Sequence, residues 1–105
     1  GIRYVIMESN GDSKQLMKML SELTRDKSKP TLAIIGSRDG GGKIIVATTE
    51  DTKASENYNS VEILNSIASH INGGGGGRPT FAQGGGSNPD GIPEALNAAR
   101  KMLDI

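Results

Sequence analysis

Two glycine clusters, with polar residues between them, form the part of this sequence best suited to contact a ligand. Residues 73–87 read GGGGGRPTFAQGGGS, so that Arg78 and Gln83 lie among the glycines. Bare glycine backbone allows consecutive N–H groups to converge on an oxyanion. An arginine can pair with phosphate or stack on a base, and a glutamine amide can bond a base edge or a ribose hydroxyl. The segment therefore predicts contacts to nucleic acid or to a nucleotide.

The candidate nucleic-acid-binding residues are the glycines and polar side chains of this segment: Gly73, Gly74, Gly75, Gly76, Gly77, Arg78, Gln83, Gly84, Gly85, Gly86 and Ser87. We expect a phosphate to lie nearer residues 84–87, because these lead into the positive N-terminus of a predicted helix. Residues 73–75 instead follow the C-terminus of a helix, which repels anions. A positive φ is also expected at Gly85, where a β-branched side chain would be strained.

Simpler interpretations of the same segment stay open at this stage. A glycine-rich tract can be a flexible linker, although Ile71 and Phe81 flank the first cluster and an amphipathic stretch follows the second. Arg78 could be a surface cation, and Gln83 an amide that ties a loop. Phe81 fits a core residue better than a stacking platform, because aromatic side chains are usually buried.

Other chemistry finds little support in the sequence. Residues 40–43 read GGGK, but Ile44 stands where a phosphate-binding loop needs Ser or Thr, and a strand follows where that motif needs a helix. One histidine, His70, and no cysteine leave no plausible zinc spacing. No serine lies in a nucleophile-elbow motif. We therefore expect a non-catalytic chain that holds no metal or cofactor.

Composition limits the size of the domain and the class of partner. A chain of 105 residues fits one domain, residues 1–105, and its 12 basic and 12 acidic side chains give a net charge of zero. Overall charge thus gives no argument for nucleic acid or for an anionic membrane. The absence of cysteine is compatible with a cytoplasmic location, and no apolar run approaches a membrane span. The strand-like start without Met predicts an excised domain whose natural neighbours lie upstream.

Apolar periodicity predicts a small α/β domain. Strands are expected at residues 2–8, 31–36 and 43–49, because these runs are rich in β-branched residues. Asp12 and Gln15 form a capping-box pattern before a helix whose apolar stripe is Leu16, Leu20 and Leu23. The strand–helix–strand order favours a parallel pair, and the short glycine-rich turn at residues 37–42 favours an antiparallel hairpin.

The second half of the chain predicts two more helices. Residues 50–56 should form a polar loop, and a helix should follow from about residue 57 with Val61, Leu64, Ala68 and Ile71 on its buried face. The glycine-rich segment is expected to be a loop, with a short edge strand at residues 80–83. Asp90 should cap a last helix that buries Ile92, Leu96, Ala99 and Leu103. The fold class is a mixed sheet, a parallel β-α-β unit plus an antiparallel hairpin, with about three packed helices and a glycine-rich loop.

The motif GGGGGRPTFAQGGG resembles the signature of the DHH-associated domain in the version found in alanyl-tRNA synthetases. The segments KIIVATTED, SVEILNSIASHI and PEALNAARKML occur in the order of that family, so the resemblance covers essentially the whole chain. DHH-type phosphoesterases carry a related loop, typically with a histidine where this chain has Arg78. That difference favours the synthetase branch.

The resemblance implies a function that composition alone does not. The parent enzyme would charge alanine-specific tRNA using ATP and Mg²⁺, and a separate zinc-bearing domain would hydrolyse mischarged tRNA. As the C-terminal domain of that enzyme, this domain would bind the outer corner of the tRNA and help to bring the upstream catalytic and editing domains onto it. A homodimer is a further possibility, and no membrane partner is expected. Two alternatives are the substrate-binding domain of a DHH-type phosphoesterase and a structural dimerisation module.

Overall fold

A five-stranded mixed sheet carries all the other elements. The computed structural model describes residues 1–38 and 40–105. Its strands are β1 (Arg3–Ser9), β2 (Thr31–Ser37), β3 (Gly42–Thr48), β4 (Gly73–Arg78) and β5 (Phe81–Gly86), arranged in the order β1-β2-β3-β5-β4. β1 and β2 are parallel and every other neighbouring pair is antiparallel. The predicted fold class, with its parallel unit and its hairpin, is confirmed; Asp39 of the predicted turn lies outside the described residues.

The helices cover both faces of the sheet. Within the described residues they are α1 (Ser13–Thr24), α2 (Lys53–Asn57), α3 (Ser60–Ile67) and α4 (Ile92–Leu103), with single 3-10 turns at Ala68–Ile71 and Pro89–Gly91. The predicted capping box is present, because Gln15 N donates to Asp12 Oδ1 and Asp12 N donates to Gln15 Oε1, each at 2.9 Å. Helix α1 therefore begins where its sequence predicts.

The two central strands form the middle of the core. β2 is buried along its whole length, as is nearly all of β3, so both read as continuous apolar runs. Successive side chains of a strand point to opposite faces. On one face of the sheet, Leu16 and Leu20 of α1 pack against a set of strand residues: Ala33, Ile35, Ile45 and Ala47. The opposite face packs against α3 and α4 through a larger set: Leu32, Ile34, Ile44, Val46, Ile63, Leu64, Ile67, Ile71, Ala82, Ile92, Ala95, Leu96 and Ala99.

Two helical predictions were wrong in their details. The predicted polar loop at residues 50–56 contains most of α2, whose N-cap Thr52 accepts a hydrogen bond from Ala54 N. A five-residue helix has too few turns to show an apolar period. On α3, Ile63 and Ile67 are buried with Leu64, whereas Val61 is only partly buried. The chain tightens into a 3-10 turn after Ile67, where Ala68 and Ile71 are buried as predicted.

Asp90 does not cap the last helix. It lies within the 3-10 turn Pro89–Gly91, and α4 begins at Ile92 without a side-chain cap. Asn88 holds this turn instead, because its backbone N donates to Ile71 O at 3.0 Å and its Nδ2 donates to His70 O at 3.1 Å. The predicted helix at the end of the chain is confirmed, with Pro93 in its first turn and Ile92, Leu96 and Ala99 buried, whereas Leu103 is only partly buried.

The glycine-rich segment is a β-hairpin, not a loop. Its first cluster forms the edge strand β4, and its second cluster ends β5, which lies inside the sheet between β3 and β4. The expected edge strand at residues 80–83 is therefore an inner strand that starts at Phe81. Pro79 and Thr80 form the turn, whose carbonyls accept hydrogen bonds from Ser60 N at 2.8 Å and from Thr48 N at 3.0 Å. Glycine has low strand propensity, so this pairing was not visible locally.

Alternate glycines of β4 lie too close to β5 for any side chain. A Cβ at Gly73, Gly75 or Gly77 would collide with the backbone of β5, whereas a Cβ at Gly74 or Gly76 would meet nothing within 4 Å. Gly77 also has a φ of 154°, which disfavours other residues. The first set of glycines is thus required by strand pairing, and the second set is not.

This alternation gives a stability prediction. Gly75→Ala should destabilise the domain by roughly 1–3 kcal/mol, because the added methyl forces β4 away from Gln83 O. Gly76→Ala, the control on the same strand, should change stability by less than about 1 kcal/mol. Urea unfolding of both variants measures the difference. Equal destabilisation of the two would show that the strands are not paired as closely as described.

Candidate nucleic-acid interface

The face of the sheet that carries α1 is open along β4 and the second half of β5. Two rows of residues run across β3, β5 and β4 in the strand register. One row is Lys43, Gly85 and Gly74, and the other is Ile45, Gln83 and Gly76. Because Ile45 packs against α1, all of these positions share the α1 face. Gly74, Gly76, Arg78, Gln83 and Gly85 are exposed there. We call this surface of five residues the glycine platform.

The structure divides the predicted binding residues between two faces. The glycine platform collects five of them. Gly73, Gly75, Gly77, Gly84 and Gly86 alternate with these on the side of the sheet that packs against α3 and α4, although the three glycines of β4 are exposed there too. Ser87 follows β5 and is exposed. The alternation of a strand, not the loop expected from composition, thus decides which members of the motif a ligand on the α1 face could reach.

Residues 84–86 form no loop whose N–H groups could converge on an anion, and the position of a bound phosphate stays a prediction. Gly84, Gly85 and Gly86 are paired with β3 on one side and β4 on the other, so their backbone groups belong to the sheet ladders. The expectation of a positive φ at Gly85 was also wrong: among the described glycines, only Gly40, Gly41 and Gly77 have one. A β-branched side chain at this position, as in Gly85→Val, is therefore not strained by the backbone conformation. Gly85 is extended, and its Cβ position meets only Gly42 O, at 3.4 Å.

Two polar side chains of the glycine platform are free to meet a ligand. Arg78 and Gln83 make no hydrogen bond or ion pair with any residue that the structure describes. Other cations are held in place: Arg38 Nε lies 2.8 Å from Glu8 Oε2, and Arg100 Nη2 donates to Ile6 O at 3.1 Å. Gln83 is therefore not the tether that one interpretation suggested. Arg78 has an unpaired charge on a surface with few other side chains.

Lys43 is a second cation at the rim of the glycine platform, and it is not among the binding residues predicted from the sequence. Its Nζ donates to Ser13 Oγ at 2.8 Å, so the ammonium lies beside the first turn of α1. Ser13, Lys43, Gln83 and Gly85 line a shallow cavity of about 290 Å³. The usable signal was strand alternation, because Lys43 is two residues before the core residue Ile45 and must share its face.

Phe81 has the core position that the simpler interpretation gave it, and His70 lies near an acidic side chain. Phe81 is half-buried and packs against the cluster formed by α1 and the sheet. His70 lies in the 3-10 turn after α3, with its Nδ1 3.8 Å from Glu94 Oε2. Among residues 1–38 and 40–105, no group of three or more His, Cys, Asp or Glu side chains is placed to hold a metal ion. In the same residues, no helix has the length and apolarity needed to cross a bilayer.

Comparisons with known proteins identify a domain family and several relatives that this chain resembles in sequence. The profile of the DHHA1 domain family matches residues 1–104. Alanine–tRNA ligase of Pediococcus pentosaceus is 30% identical over 104 residues, which are 99% of this chain and 12% of that protein. Alanine–tRNA ligase of Methanococcoides burtonii is 36% identical over 104 residues, 98% of this chain and 11% of that protein. The chain thus spans only a small part of these curated relatives.

A solved structure shares the fold. The C-Ala domain of alanyl-tRNA synthetase from Aquifex aeolicus superposes with a TM-score of 0.76 and 29% identity. The match covers 99% of this chain and 91% of that one. The similarity therefore extends over nearly all of both structures.

Arg78 should contribute nothing to stability. Arg78→Ala is expected to change the free energy of unfolding by less than about 0.5 kcal/mol, because the side chain is exposed and unpaired within the described residues. As a contrast, Arg3→Ala should cost about 1 kcal/mol or more, since Arg3 donates to Thr31 Oγ1 and to Leu23 O, each at 3.0 Å. Thermal melting compares the two variants. A large loss for Arg78→Ala would make Arg78 a structural tether.

Proposed function

The chain belongs to the DHHA1 domain family, and from that membership we propose that it is the tRNA-binding accessory domain of an alanine–tRNA ligase. One observation supports this proposal above all: the glycine platform leaves bare backbone on one exposed face, together with an arginine and an amide whose side chains have no partner among the described residues. The curated relatives described above are alanine–tRNA ligases, and the matching solved structure is a domain of such an enzyme.

In this proposal the domain docks on the outer corner of alanine-specific tRNA and performs no chemistry itself. It would help to bring the upstream aminoacylation and editing domains onto the same tRNA. ATP, Mg²⁺ and zinc would be bound by those other parts of the enzyme. The cytoplasm is the location that fits this role, and a homodimer of the whole enzyme remains a separate proposal.

The chemistry of the glycine platform suits folded RNA. A double-stranded RNA surface is recognised mainly by its shape and through 2′-hydroxyls and phosphates. A surface without side chains allows the RNA to approach the protein backbone closely. Gln83 can bond a hydroxyl or a base edge, and Arg78 and Lys43 can pair with phosphates from two ends of the platform. Since the net charge is zero, this local surface has to supply the attraction.

Adding a side chain to the glycine platform, or removing its positive charge, should weaken tRNA binding without unfolding the domain. Arg78→Ala should cost about 1.5–3 kcal/mol of binding free energy if the contact is charge-assisted. Gly74→Val should also weaken binding, because its side chain would stand in open space above the platform. Titration of labelled tRNA measures both, with Lys101→Ala as the control, since this exposed cation lies on α4 at the other face of the sheet.

The results of that titration separate the possible roles. Normal binding by both variants would refute the glycine platform as the RNA surface. Equal losses for Lys101→Ala would show that only overall charge matters. Sedimentation of the same samples tests the alternative structural role, in which the free edge of β4 joins two copies of the domain in the absence of tRNA.

Few cations on the glycine platform predict a shallow salt dependence. Each phosphate contact contributes roughly −0.7 to −0.9 to the slope of log K against log salt concentration. With Arg78 and Lys43 as its cations, the platform should give a total slope of about −1.4 to −1.8. Repeating the titration over a range of salt concentrations gives this value. A much steeper slope, or equal binding of an unstructured RNA of the same length, would contradict recognition by shape.

A further inference from the structure

A second cavity lies where α1 ends, beside the turn of the β4–β5 hairpin. Its volume is about 340 Å³, larger than the cavity beside Lys43. Met17, Leu20 and Phe81 supply apolar surface, and Arg25, Lys27 and Arg78 supply positive charge. We call this the α1 groove. It shares Arg78 with the glycine platform, but its other wall belongs to α1.

We propose that the α1 groove receives one unpaired nucleotide of a bound RNA, with the base against Met17 and Phe81 and the phosphate beside Arg25 and Arg78. The inference rests on the proposed function, because it names the part of the RNA that this domain would recognise. It adds a wall formed by α1, which lies outside the glycine-rich motif.

The apolar side of the α1 groove includes side chains that are partly exposed to solvent and do not belong to the buried face of α1. Leu16 and Leu20 of α1 are fully buried against the sheet, whereas Met17 is 44% exposed. Phe81 is half-buried, so part of its ring surface belongs to the groove. Thioether and aromatic side chains make favourable contacts with flat π systems, and unpaired bases are commonly stacked on such side chains.

The charged rim is suited to a phosphate. Arg25 is exposed at the C-cap of α1 and, like Arg78, has no hydrogen-bond or ion-pair partner among the described residues. Lys27 is less important, because its Nζ already lies 3.1 Å from Asp51 Oδ2. Glu50 is the one acidic residue among the described residues that line the groove, and Thr80 Oγ1 donates to it at 3.2 Å. The balance of charge therefore favours an anion.

The combination of these features distinguishes a nucleotide from simpler ligands. Inorganic phosphate would use the arginines but leave the apolar wall exposed to water. A paired helix would present phosphates, but its bases are stacked and cannot reach Met17. An unpaired nucleotide matches both parts, and a cavity of a few hundred Å³ is of the size that small organic groups occupy. RNA recognition by proteins commonly targets such splayed bases.

The four methionines of the chain allow a direct test. Protein labelled with ¹³C at the methionine methyl groups is titrated with the alanine-specific tRNA transcript, and parallel samples receive a fully paired RNA duplex, AMP or inorganic phosphate. A base stacked in the α1 groove should move the Met17 methyl resonance upfield through its ring current. Met102 is also exposed but lies on α4 at the other face, so its resonance should stay in place.

Two variants test the affinity. Met17→Ala should weaken tRNA binding by roughly fivefold or more, as expected for loss of a stacking contact. Arg25→Gln should weaken it by about tenfold, as expected for loss of one charge-assisted contact. Met102→Ala and Lys18→Ala are the matched controls; Lys18 is an exposed cation on α1 that does not line the groove. Both control variants should bind as the unmodified domain does.

Each result bears on one of the two proposals. The inference is overturned, and the proposed function stands, if tRNA binds while the Met17 resonance stays in place and both groove variants keep full affinity. An equal shift with the duplex, with phosphate or with AMP at the same concentration would also overturn it, in favour of a paired helix, a simple anion site or a free-nucleotide site. Absence of all RNA binding would overturn the proposed function and this inference together.

Discussion

Close pairing of two strands that carry almost no side chains is the constraint on which this domain depends. Gly73, Gly75 and Gly77 leave no room for a Cβ between β4 and β5, and Gly86 leaves none beside Ile71. This pairing completes the sheet next to β3 and positions the Pro79 carbonyl that accepts a hydrogen bond from α3. Ordering each glycine costs about 0.5–1 kcal/mol more than ordering alanine. Burial of Ile71 and Ala82 in the core helps to offset that cost.

The same run of glycines serves structure on one face and presents an open surface on the other. Positions whose Cβ would meet the backbone of β5 alternate with positions whose Cβ would meet nothing. Flexible-linker, structural and ligand-binding interpretations of a glycine run are usually treated as exclusive. Here the linker interpretation is wrong: alternate residues of one strand are required for pairing, and the residues between them form the surface that we propose binds RNA. Arg78 continues this alternation on the open face, which explains how a charged side chain can end a strand of glycines with no partner among the residues that the structure describes.

Local signals were sufficient for the parts of the fold that carry strong periodicity. The capping box of Asp12, the leucine stripe of α1 and the apolar runs of β2 and β3 all identified their elements. The hairpin of β4 and β5 could not be predicted in this way, because glycine lacks strand propensity and the pairing depends on residues far apart in sequence. The face on which Arg78 and Gln83 lie follows from strand register, and register is a tertiary property. Lys43 was considered only as part of the GGGK turn, because its neighbours in sequence form that turn, whereas its neighbours in space form the open face.

The position of β4 at the edge of the sheet ties recognition to temperature. A strand of glycines with a neighbour on only one side regains the most backbone freedom when it detaches, so it should open before the apolar centre of the sheet does. A partner that requires the closed strand encounters only the closed fraction of molecules, and its apparent affinity falls in proportion to that fraction. On warming, binding at this edge should therefore fade while β2 and β3 are still fully folded.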